Sequence, residues 1–343
     1  MSAELIATVW AAIIAIAIFL YVCMDGFDLG IGILLPALEK EEDRGTAINS
    51  VAPVWDGNET WLVMGGAGLY AVFPLAYAVI LPALYMPLIL MLLALIFRGV
   101  AFEMRFRAPT EGTRRGWDRA FTGGSLVAAL MQGLALGALV QGIEVEGRAY
   151  AGGWWDWLTP FSVFTALALV AGYGLLGACW LVWKTEGTLQ ETARGLARRC
   201  AVLLLAAIAV VSAVMPFLLP AFRARWFDFP AILTALPVPV LVVVLGWLLF
   251  RDLRGPSDGT PAQEARPFLW ALGLFFLAYT GLGITMWPMM VPPGITLWEA
   301  AAPRDSQLFL LVGAAVLIPV VLAYTGYVYW LFRGKVKAGA GYH

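Results

Sequence analysis

The chain has 343 residues, 61% of them hydrophobic and 13% charged, with a mean hydropathy of +0.82 and a formal net charge of −1. Soluble domains carry about twice that share of charge, so the composition excludes a soluble enzyme, and the near-neutral balance offers no basic field to nucleic acid. The charges sit in short patches between continuous apolar runs of roughly 20 residues, the length that crosses about 30 Å of hydrocarbon; continuous rather than alternating runs exclude a β-barrel.

The expected fold is therefore an all-α polytopic membrane protein, a single integral membrane domain over residues 1–343 with about nine transmembrane helices. The runs lie at roughly 5–24, 60–76, 79–101, 120–141, 158–183, 200–221, 230–250, 267–289 and 307–332. The first lacks a basic flank and a cleavage site and is expected to be a retained span. Thr60 to Phe97 is free of charge; its 38 residues would make a helix of about 57 Å, twice a bilayer, and Pro74 and Pro82 offer places to divide it. Eighteen of the 22 Lys and Arg, counting Arg98 with the loop it adjoins, fall in alternate connections on one side and four on the other. The positive-inside rule then puts the N-terminus outside and the C-terminus in the cytoplasm.

Taken in order, the first span ends in Met24-Asp-Gly-Phe-Asp-Leu-Gly-Ile-Gly32. Asp25 and Asp28, three apart, share one helix face, and Gly26 and Gly30 are spaced for close helix approach. Two readings stand for the acids: hydrated charges near the cytoplasmic boundary, or an ion path, since intramembrane carboxylates are costly and mark such paths. Glu39 to Arg44 reads as a solvated charge run without chemistry. Next comes Pro53-Val-Trp-Asp-Gly-Asn-Glu-Thr-Trp61, at the mouth of the charge-free stretch. Asp56 and Glu59 fit a helix-capping pattern and equally a proton-collecting pair, because burial can raise a carboxylate towards working pH. Trp55 and Trp61 are in positions typical of interface anchors.

At the end of the third span, in Phe97-Arg-Gly-Val-Ala-Phe-Glu-Met-Arg105, Arg98 either pairs with one of the preceding acids or snorkels to the interface; Arg98 and Glu103 are the candidate structural ion-pair residues. Loop 105–119 is the most basic connection and reads as a topology determinant. Gln132 and Gln141 are assigned to helix packing. Gly152-Gly-Trp-Trp-Asp-Trp157 reads as an outer aromatic belt, and the loop at 251–266 as a flexible connector. Prolines at 288, 292 and 293 break the eighth span, either as an ordinary loop or as a docking place for a lipid-like ligand or partner.

Cys23, Cys179 and Cys200 lack metal-site spacing and read as packing residues. The sole histidine is His343, so no bis-His haem and no His-based metal centre is expected here, and any redox metal belongs on a partner. Nucleotide, dinucleotide, CxxC and HExxH signatures are missing.

The motifs ending in Gly32, Trp61 and Arg105, together with Thr296-Leu-Trp-Glu-Ala300, resemble subunit II of cytochrome bd-type ubiquinol oxidases, including the cyanide-insensitive variants, in matching order over nearly the whole chain. The resemblance implies two four-helix bundles plus one peripheral helix, in the bacterial inner membrane, beside a haem-bearing subunit I of similar fold, with small single-span subunits as further candidate partners. It implies haem b and haem d in that partner, a possible structural quinone in this subunit, and quinol and oxygen as substrates of a non-pumping respiratory complex whose protons come from the cytoplasm. It implies that Asp56 is the acid on the proton path, to which the clustering of Asp25, Asp28 and Glu59 at the same face adds three candidates, and that Trp61 lies near an apolar oxygen path. The rival classes are a stand-alone proton-coupled transporter, which wants related halves with interrupted helices, and a purely structural membrane subunit.

Overall fold

The computed structural model describes residues 2–255 and 260–336. Pro256, Ser257 and Gly259 of the expected connector, and His343, lie outside the described residues. Four short helices and ten longer ones follow one another, with two small hairpins of strand. The first long helix, α1, covers Ala3–Leu34, ten residues beyond the expected end, because nothing from Tyr21 to Leu34 breaks a helix except glycines that packing accommodates. Its 32 residues make about 48 Å. Asp25 and Asp28 are therefore inside the helix, not at its end.

The charge run read as solvated is a short helix, α2 (Glu41–Asn49), and its last turn continues through Val51–Val54 into α3 (Trp55–Val72). The charge-free stretch breaks at Phe73, where Pro74 lacks a donor and starts α4 (Pro74–Ala83); a second break at Leu84 starts α5 (Tyr85–Arg107). The expected second span is thus α3 followed by a separate short helix, not one rod. After α6 (Glu111–Gln141), capped by the Thr110 hydroxyl, the chain turns at Gly142 and forms the hairpin β1 (Val145–Glu146) and β2 (Ala149–Tyr150). A capping box of Thr159 and Ser162, with Pro160 at the first position, starts α7 (Pro160–Lys184).

Helix α8 (Gly187–Val214) leads through two short helices, α9 (Pro220–Phe227) and α10 (Ile232–Ala235), to α11 (Pro237–Arg254) and α12 (Pro261–Met286). The proline-rich break after α12 is a second antiparallel hairpin, β3 (Met289–Val291) with β4 (Ile295–Thr296), then α13 (Leu297–Ala300) and α14 (Arg304–Leu331). Among the described residues, eight helices are long and apolar enough to cross a membrane, with Pro74–Ala83 a shorter apolar one.

Packing sorts the long helices into α1, α3, α5 and α6 on one side and α7, α8, α11 and α12 on the other, with α14 at the periphery touching α1 and α3. The two groups meet where α1 and α6 cross α7. That seam depends on small residues: a Cβ on Gly30 would lie 1.9 Å from the Tyr173 carbonyl oxygen, and one on Gly177 would lie 2.6 Å from the Gly30 carbonyl carbon. Backbones this close leave no room for side chains between them. The main apolar core fills this seam, with Phe27 stacked on Trp180 at 4.2 Å. The Lys- and Arg-bearing connections collect at one end of the molecule, the basic end. There Arg105 meets Glu41 (2.9 Å) and Asp118, while Arg44 reaches Asp118 at 3.2 Å. The loop expected only to set topology thus contributes to a buried clasp of α2, α5 and α6.

Candidate functional site

The acids singled out in the sequence come together around one guanidinium. Gly26 and Gly30 put one side of α1 against α7, while Asp25 and Asp28 reach residues of α5 and α3 and lie in the interior at 0% and 1% exposure. Arg98, nine residues before the end of α5 and 1% exposed, donates from Nη1 to Asp25 Oδ1 (2.8 Å) and from Nη2 to Glu59 Oε1 (2.8 Å). Of the two alternatives for Arg98, pairing holds and snorkelling does not. Glu103 is not its partner: it is exposed and its nearest cation is Arg107 at 3.9 Å, because five positions along a helix put Glu103 on another face from Arg98.

Asp28 is held differently. Asn58 Nδ2 donates to Asp28 Oδ2 (2.8 Å) and to the Met24 carbonyl (3.2 Å), and the Tyr329 hydroxyl donates to Asn58 Oδ1 (2.9 Å). Asp28 Oδ1 and Arg98 Nε are buried with no hydrogen-bond partner in the chain. A buried polar atom without a partner costs about 1–3 kcal/mol. A cluster kept at that cost, in a segment where ionisable groups are expensive, is a candidate functional site.

On its other side the cluster continues inward. Tyr21 stands beside Asp25 and accepts from Gln132 Nε2 (2.7 Å), whose Oε1 accepts from the Tyr173 hydroxyl (2.6 Å). Towards the basic end it reaches a cleft of about 330 Å³ lined by Trp55, Asp56, Asn58, Glu103 and Tyr329. Asp56 is exposed at that mouth, and Glu59, bonded to Arg98, is partly exposed. The capping reading of Asp56 does not hold: the chain enters α3 from the preceding turn, Val54 takes the cap position, and no side chain caps the helix. Asp56 in the first turn still meets the positive end of the helix dipole.

Trp61 is not an interface anchor. It is 1% exposed, packed with Ala17 and Tyr21 between α1 and α3, with its Nε1 unpartnered. Trp55 lies over Arg98, 5.7 Å from the guanidinium carbon, and stacks on Phe102. Sequence reasoning passed over Asn58, Tyr329 and Tyr21 and gave Gln132 to packing. Asn58 could have been found as the amide three positions from Trp61 on the buried face of α3; nothing local to Tyr329 reveals a partner 271 residues away.

The model of the family described as cytochrome bd terminal oxidase subunit II matches residues 6–332. The chain belongs to that family. Relatives of this bd oxidase subunit II include cytochrome bd-I ubiquinol oxidase subunit 2 of Escherichia coli K12, 27% identical over 368 residues covering 97% of this chain and 96% of the relative. Cytochrome bd ubiquinol oxidase subunit 2 of Bacillus subtilis 168 is 26% identical over 340 residues, covering 96% of each. A solved bd oxidase from Geobacillus thermodenitrificans contains a chain of the same fold, with a TM-score of 0.73 at 17% identity, covering 95% of this chain and 98% of that one. The all-α, multi-pass membrane architecture is thus that of a respiratory-chain bd oxidase subunit II.

Proposed function

We propose that this chain is the haem-free subunit of a quinol:oxygen oxidoreductase, that it stabilises a haem-bearing subunit I, and that its acid cluster carries protons from the cytoplasm towards the oxygen-reducing centre of that partner. The observation that carries this is a set of hydrogen-bonded polar side chains that runs from an open cleft to buried carboxylates. Asp56 and Asn58 line a cleft at the basic end, Asn58 bonds the buried Asp28, and Arg98, also buried, joins Asp25 to the partly exposed Glu59. The charge distribution supports a cytoplasmic basic end and an outside N-terminus, which puts the cleft on the side where protons would enter.

The described residues contain no histidine and no group of three or more His, Cys, Asp or Glu suited to a metal ion. They offer no imidazole to a haem iron, so haem b and haem d are assigned to subunit I and no step passes through a haem held here. What this chain's residues do is hold and move protons. Arg98 holds a positive charge 2.8 Å from both the Asp25 and the Glu59 carboxyl. Asp25 and Asp28 each keep one unpartnered oxygen, but Asp25 is ion-paired with Arg98 while Asp28 is bonded by the neutral Asn58 amide, so Asp28 is the acid assigned to take a proton. Trp61, beside Tyr21 in an apolar seam, is proposed to border an oxygen path. The bond network within the cluster also favours this reading over a purely structural subunit, whose acids would be fully partnered.

The test is Asp28→Asn in the assembled complex, which keeps shape and removes the proton site. Quinol oxidase turnover is expected to fall by about 100-fold or more, the contribution of a positioned acid or base, with haem content retained. Normal turnover with full haem would overturn the proton role, whereas loss of haem would favour a scaffold.

A further inference from the structure

Helix α14 is the least embedded long helix of the described chain: none of its most apolar stretch is buried against the rest. It is held at its two ends. At one, Trp10 Nε1 donates to the Gln307 carbonyl (3.0 Å) and Gln307 Nε2 to that of Ala302 (2.7 Å). At the basic end the segment after the helix folds back over α7. Lys184 Nζ, 3% exposed as a residue, donates to the carbonyls of Phe332 (2.7 Å) and Gly334 (3.3 Å), and Val336 N–H returns a bond to the Lys184 carbonyl (2.9 Å). Lys335 Nζ lies 2.8 Å from Glu264 on α12 and 3.3 Å from Glu186. One short segment thus ties the ends of α7, α12 and α14 together.

Tyr329 sits one turn before this clasp. Its ring faces Phe27 and Trp180 edge-on, at 6.5 and 6.3 Å. It forms a wall of the Asp56 cleft and also of a second cleft of about 230 Å³ lined by Ser50, Trp180, Lys184 and Lys335. Its hydroxyl donates to Asn58 Oδ1. An amide can present oxygen or nitrogen to a neighbour, and its partners decide which. Here the Met24 carbonyl and the Asp28 carboxylate accept, and Tyr329 donates, so three partners agree on the orientation that turns N–H towards Asp28.

We infer that Tyr329 is a positioning residue for Asp28, acting through the Asn58 amide, and that the clasp of Lys184 with residues 332–336 keeps Tyr329 at that place. The inference rests on the proton-transfer reading. Without the hydroxyl, Asn58 Oδ1 loses its partner and the amide is free to rotate away from Asp28. Without the clasp, an otherwise unembedded helix end can carry the phenol out of reach.

The experiment uses the whole oxidase complex, purified from membranes, with Tyr329→Phe, Lys335→Ala, Lys335→Arg and, in parallel, Asp28→Asn. Tyr329→Phe keeps the ring and removes the donor. It is expected to lower kcat roughly two- to tenfold, the worth of one hydrogen bond, to raise the solvent deuterium isotope effect on kcat, and to leave haem content and the KM for quinol unchanged. Lys335→Ala is expected to shift kcat in the same direction by less, and Lys335→Arg to restore it. If Asp28→Asn is impaired while Tyr329→Phe turns over normally, or if Tyr329→Phe loses haem or raises KM, the positioning role is overturned and the proton reading survives. If Asp28→Asn is itself normal, both fall.

Discussion

Arg98 Nη1 lies 2.8 Å from Asp25 Oδ1, and both side chains are 1% exposed. A pair this deep gains from its mutual attraction only what the desolvation of two ions leaves over, but breaking it leaves one charge buried alone. Arg98→Met is therefore expected to cost about 3–5 kcal/mol. Arg98→Met combined with Asp25→Asn is expected to be less damaging than Arg98→Met alone, with Glu59 able to turn to the cleft. Thermal midpoints of the purified complex check this; a double variant no better than the single one would contradict the pairing.

Trp61 fills the seam of α1 and α3 with an indole whose N–H finds no partner. Trp61→Phe keeps most of the apolar volume and removes the unpartnered donor, so stability is expected to change by less than about 1.5 kcal/mol. Trp61→Ala opens a cavity and is expected to cost about 3–5 kcal/mol. If Trp61 borders an oxygen path, the apparent KM for oxygen should change in Trp61→Ala at unchanged quinol KM; an unaltered oxygen KM in both variants would remove it from such a path.

Glu41 reports on the clasp at the basic end, outside the spans. Partial burial opposes its charge, but the hydrogen bond from Arg44 and the charges of Arg105, Arg44 and Arg114 prevail and hold its carboxyl below the usual range. A depressed carboxyl contributes stability that is present above its unfolded value, about 4.3, and is lost as pH falls through the folded one. Near neutral pH Glu41→Gln should lower the thermal midpoint slightly, by the equivalent of at most about 1 kcal/mol for a partly exposed pair. The gap between Glu41→Gln and the parent should close below about pH 4. A gap that stays constant from pH 7 to 3 would rule out this account.

Much of this architecture can be read from hydropathy and charge alone, because the bilayer imposes span length and the basic connections impose alternation. The position of the Asp56 motif at a span mouth is legible for the same reason. The pattern fails where distant partners decide. Residues 55–59 carry a capping signature, yet α2 runs through a continuous turn into α3, so Val54 occupies the cap and Asp56 faces the cleft. Arg98 was expected to choose among several acids, and selection of Asp25 and Glu59, 73 and 39 residues away, depends on how α1, α3 and α5 rotate in packing. α1 overran its expected end because its glycines serve contact with α7 rather than termination. The charge run that opens α2 looked solvated because Arg105 and Asp118, which pair with Glu41 and Arg44, are remote in sequence.

The depth of Asp25 and Asp28 depends on the crossing of α1 and α7, where Gly30 meets the Tyr173 carbonyl. A methyl there cannot be relieved by rotating a side chain, because the atom it meets is backbone. Gly30→Ala is expected to push α7 away by more than an ångström, at a cost of at least about 1–3 kcal/mol. It should also expose the acids and lower the yield of assembled complex. Gly66→Ala is the matched control: nothing lies within 4 Å of its added Cβ, and helix propensity alone would favour it by about 0.5–1 kcal/mol. Complex yield and thermal midpoint for the two variants decide the point. Equal behaviour would mean that the two helix groups are not set by backbone contact at Gly30, and that the acids owe their burial to something else.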